Sequence, residues 1–173
     1  MPRRSSEFEI DESLRDRFAV TVLGVGNPIM GDDGVGITLL ERLRHEYGDP
    51  RVDFVDGGTG GLELIPVVQD ARRLLIVDAV AGDTPGEVVQ FDGDQIPRMM
   101  QAKLSPHQIS LLDLFTTARM LGSEPEHIAV VGVVPQYVGL RVGLSGVVEA
   151  ALLQATSKAG EILRTWLGEE NLA

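Results

Sequence analysis

The segment Gly24-Val25-Gly26-Asn27-Pro28-Ile29-Met30-Gly31-Asp32-Asp33-Gly34-Val35-Gly36 joins two different patterns. Before it runs an apolar stretch, Ala19 to Leu23, rich in β-branched residues. After it, Val35, Leu39, Leu43 and Tyr47 recur on one helical face. The pattern is strand, glycine-rich turn, helix. Turns of this kind lie at the carboxyl end of a strand, where open α/β sheets bind ligands. A dinucleotide fingerprint needs a third glycine in G-x-G-x-x-G, and Ile29 stands there instead. Asp32 and Asp33 open the helix, where carboxylates suit the dipole and can cap it. They repel a pyrophosphate, the usual guest of such a turn. The pair points to a cation or to acid–base chemistry, with Asp32 alone explicable as a simple N-cap.

The 173 residues suffice for one domain with a full core. Aromatic content is only 5%, so the core is expected to be Val, Leu, Ile and Ala, the filling of a buried parallel sheet. A net charge of −11 disfavours nucleic acid and anionic membranes as partners. Cysteine is absent, which excludes disulfides, a thiol nucleophile and a zinc–thiolate site. Residues 1–18 are polar and charged and lack the apolar core of a signal peptide. They read as an N-terminal extension to a single α/β domain over 19–173. No apolar run is long enough to span a membrane, and the expected setting is cytoplasmic.

From the first turn onward, strands and helices alternate. Strands are expected at Ala19 to Val25, Val52 to Val55, Leu74 to Val77, Val88 to Phe91 and Ile128 to Val134. Helices are expected at Gly34 to Tyr47, Leu62 to Val68, from Ser105 to Gly122, and at Leu144 to Leu167. Ser105-Pro106-His107-Gln108 is a clear helix start: serine as N-cap, proline at N1, glutamine at N3. Alternation implies a three-layer α/β/α sandwich around a mainly parallel five-stranded sheet. Val88 to Phe91 follows its predecessor too closely for a helical crossover, so it is the expected antiparallel edge strand. In the last helix, Val147, Leu152, Ile162 and Trp166 are expected to pack on the sheet rather than to form a dimer seam, which implies a monomer.

Three acidic positions share a property. Asp33 follows the first strand, Asp56 closes the second and Asp78 closes the third. In a parallel sheet these ends share one edge, so the carboxylates converge. His107 stands in the first turn of its helix, where the dipole disfavours the imidazolium and favours the neutral form that a ligand or base requires. Carboxylates and an imidazole suit nickel or zinc and leave positions open for water or substrate. Without a metal, close carboxylates share a proton and serve as an acid–base pair. An aspartate at one strand end often only caps the next turn; recurrence at three successive ends favours a site. His45, on a charged helix face, reads as solvated, and His127 as structural or exposed. The Gly57 to Gly61 loop is a flexible turn, a lid or a source of backbone donors for an extended peptide.

Gly-x-Gly-Asn, Asp-Asp-Gly-x-Gly, Asp56-Gly57-Gly58-Thr59, Val77-Asp78-Ala79, Ser105-Pro106-His107-Gln108 and Val131-Gly132-Val133-Val134-Pro135 occur here in that order. Together they resemble the nickel–iron hydrogenase maturation endopeptidases, over about Val20 to Leu167. The resemblance implies removal of a short C-terminal extension from the hydrogenase large-subunit precursor after nickel insertion. Nickel is then recognised in the substrate rather than permanently held. Asp33, Asp78 and His107 match the nickel-binding positions, with Asp33 where the family often has the longer glutamate. Asp56 matches a further acidic position with a supporting part in catalysis or substrate positioning. The competing readings are a metal- or nucleotide-binding module, a general metallo-aminopeptidase with a resident metal, and an interaction protein whose strand-end acids are only caps.

Overall fold

The computed structural model describes residues 16–93, 95 and 106–170, with the side chains of 106–112 and 170 outside the description. The expected extension over 1–18 therefore lies outside the described residues up to position 15. So do Ser105 and the side chains of His107 and Gln108.

The β-branched runs form strands because such side chains pack well on a pleated surface. β1 spans Val20–Val25 and is buried throughout. β2 spans Val52–Gly58, β3 Arg73–Ala79, β4 Val88–Asp92 and β5 His127–Val133. They form one sheet in the order β2-β1-β3-β5-β4. β1 pairs in parallel with β2 and β3, and β3 pairs in parallel with β5. β4 runs antiparallel beside β5 at the edge, as the short connection before it required.

Among the described residues, four α-helices cover the two faces: α1 at Val35–Glu46, α2 at Ile65–Asp70, α3 at Pro106–Met120 and α4 at Gly146–Glu170. Alternation along the strands sorts the core into two clusters. Val20, Val22, Leu75, Val77 and Val131 meet α1 and α4 on one face. Leu23, Val25, Leu74, Ile76 and Val130 meet α2 and α3 on the other. These are the layers of an α/β/α sandwich. No helix among the described residues is long and apolar enough to cross a membrane.

Three boundaries differ from expectation in ways that matter for the site. β2 and β3 run on to Gly58 and Ala79, so Asp56 and Asp78 lie within strands rather than beyond them. The apolar residues end at Val55 and Val77, whereas the backbone ladder continues through the aspartate that follows each. The first helix opens with a tight 3-10 turn, Gly31–Gly34, which carries both acids. In the last helix, Leu152 is buried and Ile162 and Trp166 pack against the core, but Val147 is exposed in the first turn.

Candidate active site

Glycine lets the first turn of α1 sit directly against the strand ends. A Cβ on Gly36 would stand 2.1 Å from the Val25 carbonyl oxygen and 2.5 Å from that of Val77. Gly26, at φ 143°, passes just as close to the Asp33 carbonyl. No other residue fits such approaches. The 3-10 turn is thereby held against β3, beside Asp78.

Asp33 is buried, 3% exposed, and its Oδ2 accepts the Asn27 N–H at 2.9 Å. Asp78 is fully buried, and strand alternation from Leu74 and Ile76 turns it towards the α2 and α3 face. Its Oδ1 accepts the Ala79 N–H at 2.7 Å. Its Oδ2 has no hydrogen-bond partner among the described residues. Burial pushes the Asp78 carboxyl well above its ordinary value of 3.8; the Ala79 N–H opposes this, and the charge of nearby Asp33 adds to the rise. The two carboxyls thus come together at the carboxyl edge, from β3 and from the turn after β1. A proton on Asp78, or a cation beside it, relieves both its burial and its repulsion by Asp33.

Asp56 does not join them. It lies exposed on edge strand β2, opposite Gly24, and its Oδ1 accepts the Gly58 N–H at 2.9 Å. β1 stands between it and β3, a separation of about 10 Å at ordinary strand spacing. His107 belongs to the first turn of α3. The far end of that helix is tied to the amino edge, where Ser123 accepts from Gln69 and the Glu126 N–H donates to the Arg72 carbonyl. Over 15 residues α3 rises about 22 Å and touches the 3-10 turn Leu62–Leu64 that follows β2. Its amino end therefore reaches the edge that carries Asp33 and Asp78, on the face towards which Asp78 turns. Among the described residues, no three His, Cys, Asp or Glu side chains gather as a metal-holding group. His45 and His127 are exposed, His127 near the Trp166 ring.

Asp32 has a role that reading it as an N-cap misses. It caps nothing in its own turn. Its fully buried carboxylate reaches across the fold to the chain after β5. Oδ2 accepts the N–H groups of Gln136 and Tyr137, both at 2.9 Å, and the Ser145 hydroxyl at 2.7 Å. Oδ1 accepts the Ser145 N–H at 2.6 Å. Burial alone raises its pKa, but the Ser145, Tyr137 and Gln136 donors outweigh burial and hold it below 3.8. Of two adjacent aspartates, one stays ionised as a latch and the other faces Asp78. Nothing local distinguishes them, because the partners of Asp32 lie more than a hundred residues away.

A family model described as HycI, hydrogenase maturation protease, matches residues 37–162. The chain is 33% identical over 148 residues to the hydrogenase 2 maturation protease of Escherichia coli K12, covering 84% of this chain and 90% of that protein. It is 36% identical over 155 residues to the hydrogenase expression/formation protein HupD of Rhodobacter capsulatus, covering 85% and 72%. Among solved structures, the E. coli hydrogenase maturating endopeptidase HybD superposes with a TM-score of 0.76 at 31% identity, covering 84% of this chain and 92% of that one. On this likeness in sequence and fold, the chain is a peptide hydrolase belonging to the hydrogenase maturation protease family.

Proposed function

We propose that this protein removes the C-terminal extension of a nickel-loaded hydrogenase large-subunit precursor, and that Asp33, Asp78 and His107 recognise the precursor's nickel. The observation that carries the reading is the buried pairing of Asp33 with Asp78, whose Oδ2 is unmatched among the described residues. An unmatched buried carboxyl oxygen is costly and marks a group kept for a ligand. A divalent cation offsets both the burial of Asp78 and its repulsion by Asp33. The amino end of α3 supplies the third position, with His107 in its first turn.

In this reading the nickel travels with the substrate. Docking at the carboxyl edge of the sheet lets the two aspartates and the histidine complete its coordination and fixes the neighbouring peptide for attack by water. Asp56, exposed at the same edge, assists by positioning the extension. A precursor without nickel offers the acidic pair nothing to bind, which prevents premature cleavage. The test is cleavage of purified precursor by Asp33→Ala, Asp78→Ala and His107→Ala, each confirmed folded. All three are expected to lose measurable activity; full activity in two of them contradicts the assignment.

A further inference from the structure

The loops at the carboxyl edge expose Ile29, Leu62, Tyr137, Val138, Leu140 and Val142, with Leu140 and Val142 at 81% and 82%. This exposure does not come from a loose loop. Asp32 fixes the backbone at 136, 137 and 145. The Gly31 N–H donates to the Arg141 carbonyl at 2.7 Å, the Arg141 N–H to Ile29 at 3.0 Å, and the Asp32 N–H to Tyr137 at 2.9 Å. A pinned loop that holds its apolar side chains in water marks an interaction surface. Its charge also sets it apart. Residues 135–145 contain no acid and one cation, Arg141, in a chain of net charge −11. The surface adjoins the candidate site, because its latch, Asp32, is the chain neighbour of Asp33.

We propose that Leu140 and Val142, flanked by Ile29 and Tyr137, dock the folded body of the large-subunit precursor, entering an apolar depression whose acidic rim meets Arg141. The inference rests on the function proposed above and names how that substrate is held. The occupant is the folded body rather than the extended tail. A tail strand needs a groove for its side chains, but Leu140 and Val142 are themselves the protruding groups, at 81% and 82% exposure, and call for a concave, folded partner. An apolar centre inside a polar rim is the common anatomy of protein interfaces, and Tyr137 and Arg141 beside the two aliphatic side chains are of the types enriched at their anchors.

The test compares the double variant L140S/V142S with M120S/L121S on nickel-loaded precursor. Met120 and Leu121 are also exposed but lie at the opposite edge of the sheet. L140S/V142S is expected to raise KM about tenfold or more, and M120S/L121S to stay within about twofold. Direct binding of the precursor to immobilised protein should show the same contrast. A synthetic peptide of the C-terminal extension should bind wild type and L140S/V142S alike. Equal effects from both pairs, or precursor affinity unchanged in L140S/V142S, overturn the docking surface. So does an equal loss of peptide binding, which assigns the patch to the tail. If wild type fails to cleave, the proposed function fails on its own, and the binding comparison still decides the docking.

Discussion

Asp32→Asn removes one charge and exchanges one acceptor atom for a donor, at a fully buried position that holds two distant segments together. The carboxylate accepts four hydrogen bonds, three at Oδ2 and one at Oδ1. With the amide oxygen at the Oδ2 position, those three survive as neutral bonds. The amide nitrogen then faces the Ser145 N–H, a buried donor left without an acceptor. That mismatch costs about 1–3 kcal/mol. Losing charge assistance in the other three costs roughly 1–2 kcal/mol more. Relief of the carboxylate's own burial returns part of this. The net expectation is a loss of about 2–4 kcal/mol, read by denaturant unfolding at pH 7. The sign of the pH dependence follows from the lowered folded pKa. The stabilisation from Asp32 is complete above the unfolded value of about 3.9 and fades as pH falls through the folded value, which lies lower. The gap between wild type and variant should therefore persist down to about pH 4 and narrow below it. A difference under about 0.5 kcal/mol at pH 7 refutes the latch.

Asp78→Asn should abolish cleavage while leaving stability at pH 7 equal or higher. The raised folded pKa means that stability is complete below the unfolded value and declines as pH rises towards the folded one, a decline the amide lacks. Gly36→Ala should destabilise by about 2–3 kcal/mol and depress kcat, since its Cβ collides with backbone oxygens of β1 and β3; thermal unfolding and turnover check both. Asp56→Asn keeps an acceptor for the Gly58 N–H at an exposed site, so stability should stay within about 0.5 kcal/mol. The kcat/KM on precursor should nonetheless fall about tenfold if the residue positions the extension.

The layers, the strand roles and the antiparallel edge were legible because each rests on a local signal. β-branched runs, helix starts and one connection too short for a crossover carried them. The convergence of Asp33 and Asp78 was legible because parallel strands put their carboxyl ends on one edge. The same argument applied to Asp56 places it on that edge but not beside the pair, because its strand is at the border of the sheet and its side chain is exposed. The role of Asp32 was not legible, because it is a contact with Gln136, Tyr137 and Ser145 that no local pattern encodes. The resemblance, carried by an ordered set of short motifs, reached the family where any single glycine turn could not.

Cleavage of a purified large-subunit precursor with and without inserted nickel, followed by intact mass, tests the central claim most directly. The account predicts loss of one defined C-terminal fragment from the nickel-loaded form only. Equal cleavage of both forms contradicts nickel recognition, and cleavage of neither form, across other cognate precursors as well, contradicts the substrate.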